Sequence, residues 1–282
     1  MFNGKKIAFI GPGAMAEAMI AGLIRTKVAQ PESLIAAGPR LARGEELIEY
    51  YGITFSLDNI EVVRQADVVV ISVKPQRLDQ VLAVLKGSVQ LHALVLSIVA
   101  GATIEKISIG LGHPIVVRSM PNTPAQIGEG ITVWTASSQV SEEQLVMAKS
   151  ILGALGEEVF VEDENYLDMA TALSGTGPAY VFLFMEAMVD AGVHLGFPRR
   201  IAEQLVTQTL LGSVDYYKKR GDPVHLARMR NEVTSPGGTS AEALYYLEKA
   251  GFRTAISRAI WAAYQRSREL GKGGKAHPPQ ES

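Results

Sequence analysis

The chain has 282 residues, a hydrophobic content of 47%, 20% charged residues and a formal net charge of −2. Because the charge is nearly balanced, the composition gives no electrostatic support for binding to nucleic acid or to an anionic membrane. The sequence contains no cysteine, which excludes disulfides, thiolate metal sites and cysteine nucleophiles.

The first half of the chain alternates short aliphatic runs with helical patterns. Strands are predicted at residues 6–10, 33–37, 67–73, 94–99, 115–119 and 130–134, with a further candidate at 158–161. Helices are predicted at 14–26, 41–51 and 78–85. Strands separated by helices predict an α/β domain with a doubly wound parallel sheet, which we place at residues 1–162.

The second half carries only helical patterns, so we expect an all-helical C-terminal domain over residues 163–270. Its predicted helices cover 164–173, 178–195, 198–219, 224–232, 239–249 and 252–270. The tail at 271–282 has no apolar pattern and is expected to be disordered.

The sequence also indicates where the protein works. No apolar run approaches the about 20 residues that a membrane-spanning helix needs. The N-terminus runs into a predicted strand without a signal-peptide pattern, and the five histidines are scattered rather than spaced as metal ligands. We therefore expect a cytoplasmic protein without a metal site and without a nucleic-acid or membrane partner.

A glycine-rich turn follows the first predicted strand and opens the first helix. Its pattern is Gly11-x-Gly13-x-x-Ala16, the dinucleotide fingerprint of a Rossmann-type domain with alanine as the third small residue. Gly11 permits the tight turn, and Gly13 with the helix start at Ala14 and Met15 lets a pyrophosphate approach the backbone. The alternative is an ordinary tight turn between a strand and a helix.

The end of the second predicted strand bears on the choice of cofactor. An NAD-binding domain usually carries an acidic residue there for the ribose hydroxyls. This chain instead has Arg40 and Arg43, which could pair with the 2′-phosphate of NADPH. The prediction is NADPH, unless both arginines are ordinary solvated side chains.

Further candidates follow later strands, at the edge where ligands bind in such folds. Val73-Lys74-Pro75 could contact the cofactor ribose, and the small pair Ala100-Gly101 would leave space for a nicotinamide ring. Asn122 could hydrogen-bond to cofactor or substrate, although the prolines beside it also fit a structural turn. The predicted cofactor residues are Gly11, Gly13, Ala14, Met15, Arg40, Val73, Lys74, Pro75, Ala100, Gly101 and Asn122.

The most specific segment of the second half is Val233-Thr234-Ser235-Pro236-Gly237-Gly238-Thr239-Ser240, which we call the signature loop. It has no strongly acidic or basic side chain, but its glycines and hydroxyls precede a predicted helix, where unpaired N–H groups bind anions. The spacing of Thr239 and Glu242 fits a capping box, so part of the motif could simply initiate the helix.

Five motifs in order make this chain closely resemble pyrroline-5-carboxylate reductase over residues 5–270. They are Gly11-x-Gly13-x-x-Ala16, Val73-Lys74-Pro75, Arg118-x-Met120-Pro121-Asn122-Thr123-Pro124, Leu173-Ser174-Gly175-Thr176-Gly177-Pro178-Ala179-Tyr180 and the signature loop. The resemblance implies reduction of 1-pyrroline-5-carboxylate to L-proline, the last step of proline biosynthesis, with NADPH and with NADH as a second cofactor. It also implies a helical domain that dimerises, dimers that assemble into rings, and an active site between a nicotinamide and the signature loop.

Reduction of a protonated cyclic imine needs position and electrostatics more than a strong general acid. We expect Ser235, Gly237, Gly238 and Thr239 to bind the substrate carboxylate. Ser240 is the candidate for the hydrogen bond to the imine nitrogen, although the family often has threonine there. Thr176 is a second catalytic candidate, with a role as helix cap as its alternative.

Two other functions are consistent with a two-domain plan of this kind. A β-hydroxyacid dehydrogenase of the 6-phosphogluconate dehydrogenase type would need a lysine on the first long helix of the second domain, and residues 171–192 contain none. A noncatalytic NADP(H) sensor would bind the cofactor without turnover.

Overall fold

The structure is a computed structural model that describes Phe2 and residues 4–221 and 224–271. The chain forms two compact units. The first runs to Pro178 and takes up the chain again from Ala262, and the second is Ala179–Trp261. The domain boundary at residue 162 stays a prediction. Of the tail expected to be disordered, 272–282 lies outside the described residues.

The first unit is built on one eight-stranded sheet with the order β3-β2-β1-β4-β5-β6-β7-β8. The strands are β1 (Ile7–Ile10), β2 (Leu34–Ala37), β3 (Thr54–Ser56), β4 (Val68–Ile71), β5 (Leu94–Ser97), β6 (Val116–Met120), β7 (Gly130–Ala136) and β8 (Gly156–Phe160). The first six strands are parallel, and the order reverses between β1 and β4. This reversal is the point at which doubly wound folds bind ligands, beyond the carboxyl ends of the strands.

The sequence predicted a parallel sheet, but one pair of strands in the structure is antiparallel. β7 runs antiparallel to β6, with Arg118 opposite Thr135, and β8 is parallel to β7. The cause is the short connection between β6 and β7, because a parallel return requires a crossover of a dozen or more residues. The mostly parallel, Rossmann-like architecture predicted for the first half is otherwise confirmed.

Helices cover both faces of this sheet. They are α1 (Ala14–Arg25), α2 (Leu41–Tyr51), α3 (Asn59–Arg64), α4 (Pro75–Leu85), α5 (Ile104–Leu111), α6 (Glu142–Gly153) and α7 (Asn165–Ala170). Apolar residues of α1, α2 and α6 pack on one face, and those of α3, α4 and α5 pack on the other. Alternate residues of the central strands enter the two layers, so both faces of β1 and β4 are buried.

Four elements of this unit were missed in the sequence: β3, α3, α5 and α6. β3 has only three residues and α3 only six, too short for a periodic pattern. The start of α6 did carry a usable signal, because Ser141 and Gln144 form a capping box.

Helices make up the second unit, as predicted. α8 (Gly177–His194) and α12 (Phe252–Gly271) cross its limits, while α9 (Arg199–Lys218), α10 (Leu226–Glu232) and α11 (Thr239–Lys249) lie within it. Its buried apolar cluster is small, with Val189, Ala202 and Val206 at its centre.

Much of the surface of the second unit is apolar. Large exposed apolar side chains occur on each of α8 to α12: Val181, Phe182, Leu183, Phe184, Leu205, Leu211, Val214, Tyr216, Tyr217, Leu226, Tyr245, Tyr246, Leu247, Phe252, Ile256 and Trp261. A groove of about 490 Å³ along α12 is lined by Phe252, Ile256, Ile260 and Trp261. Apolar surface on this scale marks an interaction site.

One helical run is an exception to the expected lack of apolar segments of membrane-spanning length. Residues Asn165–His194 run through α7, a π-helical turn and α8, with a mean hydropathy of 1.2 in the most apolar window, of which 11% is buried. Length and composition alone are weak evidence of a membrane span. The same apolar surface fits an interface between helices.

Candidate active site

The glycine-rich turn has the backbone geometry that the fingerprint predicts. Gly11 has a φ of +89°, and a Cβ built there would lie 2.5 Å from Val73 Cγ1. A side chain at this position would therefore strain the backbone and collide with Val73, in the segment that follows β4. Ala16 is fully buried, which lets α1 pack closely on the sheet.

Gly13 and the start of α1 fit the pyrophosphate of a dinucleotide. No described atom lies within 4 Å of a Cβ built on Gly13, so the backbone here borders open space. Gly13 is the N-cap of α1, and no described side chain caps the helix. The N–H groups of Ala14 and Met15 at this positive helix end are thus suited to an anion.

Ser72, Val73 and Lys74 follow β4 beside this turn. Ser72 Oγ donates a hydrogen bond to the carbonyl oxygens of Ile10 and Gly11, each at 3.0 Å, and so ties β4 to the loop. Lys74 is exposed at the N-cap of α4. Pro75 occupies the first helical position, where its missing N–H costs nothing.

The structure separates the two arginines that the sequence analysis had paired for the 2′-phosphate. Arg40 is the exposed N-cap residue of α2. Arg43 instead donates hydrogen bonds to Glu17, Glu46 and the carbonyl of Pro12. The hydrogen bonds that Arg43 donates to Glu17 and Glu46 raise the pKa of Arg43 above its ordinary value. Arg43 is therefore committed to protein partners, and of this pair Arg40 is the side chain left for a phosphate.

Gly101 is small for a reason other than the one predicted. It is buried, and a Cβ built there would lie 2.7 Å from the backbone nitrogen of Gly271 and 2.8 Å from the carbonyl of Ser267. The last turn of α12 thus fills the space beside Gly101. Ala100, next to it, is partly exposed.

Asn122 has a structural hydrogen bond in addition to any ligand it binds. Its side-chain oxygen accepts from the backbone N–H of Ile131 at 2.9 Å. This bond joins the loop after β6 to the start of β7 and supports the alternative of a structural turn. Only the side-chain amide nitrogen is left to donate to a ligand.

Thr176 closes a π-helical turn over Thr171–Gly175, where the helix predicted at 164–173 had ended two residues earlier. Both its backbone N–H and its hydroxyl donate to the carbonyl of Thr171, each at 2.8 Å. A Cβ built on Gly175 would lie 2.6 Å from Met120 Cε, so the turn packs against the end of β6. While this bond persists, Thr176 can accept a hydrogen bond from a ligand but cannot protonate it.

The signature loop, in the second unit, lies between α10 and α11. Gly237 has a φ of +71°, and Gly238 is the N-cap of α11. The predicted capping box of Thr239 and Glu242 is wrong, because Thr239 is already the first helical residue and no described side chain caps α11. The N–H groups at this helix start are therefore left for an anion.

Side chains of the signature loop also shape this helix start. Gly238 donates its N–H to the carbonyl of Ser235 at 3.0 Å, and a Cβ built on Gly238 would lie 2.6 Å from Ser235 Oγ. Ser240 is partly exposed in the first turn of α11, and its hydroxyl has no hydrogen-bond partner among the described residues.

The structure contains a buried ion-pair cluster beside the carboxyl ends of the strands that was not predicted from the sequence. Arg118, on β6, pairs with Glu164 and with Asp168, each at 2.9 Å. Glu164 also accepts the N–H of Ile104, and Asp168 accepts the hydroxyl of Ser267. The signal was an arginine inside an aliphatic strand pattern, because a buried charge requires partners.

Comparisons with known proteins agree with this arrangement. The sequence model of a family described as "Pyrroline-5-carboxylate reductase dimerisation" matches residues 164–270. A second model, described as "NADP oxidoreductase coenzyme F420-dependent", matches residues 6–101.

Relatives match over nearly the whole chain. The pyrroline-5-carboxylate reductase of Synechocystis sp. is 45% identical over 95% of this chain and 98% of its own. A crystal structure of the Plasmodium falciparum pyrroline carboxylate reductase with NADP bound has a TM-score of 0.86 at 33% identity, covering 95% and 98% of the two chains. The Coxiella burnetii pyrroline-5-carboxylate reductase has a TM-score of 0.82 at 34% identity, covering 96% and 99%.

Proposed function

Because the chain belongs to the pyrroline-5-carboxylate reductase family, we propose that it reduces 1-pyrroline-5-carboxylate to L-proline with NADPH as the preferred cofactor. The enzyme is an oxidoreductase of proline biosynthesis that uses a nicotinamide cofactor. When bound, the cofactor supplies the hydride that the imine carbon receives.

The first unit holds the cofactor in this proposal. The turn at Gly11 and Gly13, with the N–H groups of Ala14 and Met15, binds the pyrophosphate. Val73, Lys74 and Pro75 border the ribose, and Ala100 and Asn122 border the nicotinamide side, whereas Gly101 makes room for the last turn of α12. Arg40 pairs with the 2′-phosphate and gives the preference for NADPH over NADH, which remains a weaker second cofactor.

The signature loop holds the substrate. The uncapped start of α11, with Gly237, Gly238 and Thr239, binds the carboxylate together with the Ser235 hydroxyl. Ser240 makes the hydrogen bond to the imine nitrogen. Thr176 is the alternative partner for the single N–H of the protonated imine, and it can only accept, because its own proton is already donated to Thr171.

The enzyme works as a homodimer formed through the helical second unit, and dimers assemble into a larger ring. The support for this is a second unit with three buried apolar side chains at its core and extensive exposed apolar surface. We place it in the cytoplasm, acting on a small molecule rather than on nucleic acid or membrane.

The observation that carries the proposal is the start of α11, where two glycines precede the helix and no described side chain caps it. The test is NADPH oxidation by the purified chain with 1-pyrroline-5-carboxylate, beside reactions of β-hydroxyacids with NADP⁺. We expect turnover with the imine alone. Turnover with a hydroxyacid alone, or NADPH binding without turnover, would overturn the proposal.

A further inference from the structure

Three residues join α1, α2 and the glycine-rich turn, and we call them the loop clamp: Arg43, Glu17 and Tyr51. The side chain of Arg43 is 17% exposed, and its guanidinium donates to a Glu17 carboxylate oxygen. The other oxygen of Glu17 accepts from the Tyr51 hydroxyl at 3.0 Å. The carboxylate is thus held at both oxygens, by residues at the two ends of α2.

The loop clamp reaches the phosphate-binding turn directly. Arg43 Nε donates to the carbonyl oxygen of Pro12 at 3.1 Å. Pro12 is buried, and a Cβ built on Gly38 would lie 2.7 Å from its Cδ, so the turn is held from the side of β2 as well. The plane of the peptide between Pro12 and Gly13 is therefore set by a charged donor rather than by the turn alone.

Arg43 also changes the electrostatics of this place. Glu17 lies in the first turn of α1, whose N-terminal N–H groups face the open space at Gly13. An unpaired carboxylate there would repel a pyrophosphate, and the paired guanidinium cancels its charge. Glu46, the other carboxylate on Arg43, is half-exposed and does not belong to the clamp.

We propose that the loop clamp positions and electrostatically shields the pyrophosphate-binding turn, so that Arg43 is a positioning residue for the dinucleotide and not a ligand of the 2′-phosphate. The inference rests on the proposed use of a nicotinamide cofactor. Because NADPH and NADH share the pyrophosphate, Arg43 affects both, whereas Arg40 affects only the cofactor that carries the 2′-phosphate.

The test measures Kd by calorimetric titration and KM by turnover, each for NADPH and for NADH. In Arg43→Ala, both constants rise about tenfold for both cofactors, with the change in KM rather than in kcat. In Arg40→Ala, the constants for NADPH rise selectively. Arg43→Lys keeps the charge but cannot reach all the acceptors, so it falls between wild type and Arg43→Ala.

A double variant separates the electrostatic shielding by Arg43 from its positioning of the turn. Adding Glu17→Gln to Arg43→Ala removes the uncompensated carboxylate and recovers part of the affinity for both cofactors. The matched control is Glu46→Gln, at the more exposed carboxylate that pairs with Arg43. It should bind NADPH and NADH with the same Kd values as wild type.

Two results would overturn the inference. One is a loss confined to NADPH in Arg43→Ala, which would make Arg43 a phosphate ligand. The other is a lower Tm in Arg43→Ala and Arg43→Lys with wild-type Kd values for both cofactors, which would leave the clamp a purely structural feature. If the wild-type chain binds neither cofactor, the proposed function itself fails, and the two failures are thereby distinct.

Discussion

Gly238 lies where one added carbon would disturb the proposed carboxylate site without straining the backbone. It has a φ of −81°, which any residue can adopt, but its Cβ would meet the Ser235 hydroxyl at 2.6 Å. In Gly238→Ala we expect the KM for the imine to rise about tenfold, as for the loss of one hydrogen bond of average strength. Steady-state kinetics with each substrate varied in turn would measure it.

The matched control is Gly153→Ala, at the exposed end of α6, where no described atom lies within 4 Å of a built Cβ. It should leave both Michaelis constants as in wild type, and Gly238→Ala should leave the Kd for NADPH unchanged. Wild-type kinetics in Gly238→Ala would remove the helix start from the substrate site.

His113 makes stability depend on pH. It is buried with Nε2 2.8 Å from the carbonyl of Ala93, and burial lowers the pKa of His113 below its ordinary value of 6.5. The unfolded chain thus binds the proton more readily than the folded one. The contribution to stability is complete above about pH 6.5 and declines as the pH falls below that value.

Urea unfolding at pH 7.5 and pH 5.5, at fixed protein concentration, would test this. The unfolding free energy should fall less between pH 7.5 and pH 5.5 in His113→Gln than in wild type. His194→Gln, at an exposed histidine, should keep the wild-type drop. Equal drops in all three proteins would show that His113 titrates normally in the folded state.

At the scale of elements, Arg118 joins β6 to α7. Its side chain is 3% exposed and bonds to two carboxylates of that helix region, Glu164 and Asp168. Arg118→Ala leaves both without their cation, so we expect the unfolding free energy to fall by about 3–5 kcal/mol. Denaturant unfolding would measure the loss.

An exposed ion pair offers the contrast. Lys5 and Glu143 lie 3.6 Å apart, and the glutamate is 73% exposed, so Lys5→Ala should cost less than about 1 kcal/mol. A loss in Arg118→Ala no larger than that of Lys5→Ala would mean that the two carboxylates find water or other partners.

Elements were predictable where one pattern decides them. The sequence predicts β1, β4 and β5 from their aliphatic runs and the end of α2 from the glycine that follows it. The bounds predicted for α11 are those observed. The π-helical turn before Thr176 was not predictable, because its packing against Met120 joins residues more than fifty positions apart. The antiparallel direction of β7 could have been predicted, because the connection between the strands predicted at 115–119 and 130–134 is too short for a parallel crossover.

At the scale of the whole molecule, the apolar surface of the second unit is the one that we propose a partner subunit covers. Leu183, on α8, is 67% exposed within a largely apolar surface. If that surface is the dimer interface, Leu183→Glu should bury a charge there, yield single chains and abolish most activity. Light scattering after gel filtration would give the mass of the assembly.

Leu91→Glu is the control, because Leu91 is 89% exposed in the first unit and lies outside that surface. It should keep the assembly and the activity. An unchanged assembly in Leu183→Glu would place the interface elsewhere.

The sequence by itself determined the alternation of strands and helices, the glycine-rich turn, and the signature loop, because each depends on residues close together in the chain. Only the tertiary structure decided which arginine stays free for a phosphate, since Arg43 finds Glu17 and Pro12 about thirty residues away. It likewise decided that Gly101 makes room for α12 and that the Thr176 hydroxyl is already donated. Local pattern specifies which side chains are available, and long-range packing determines which of them are already used.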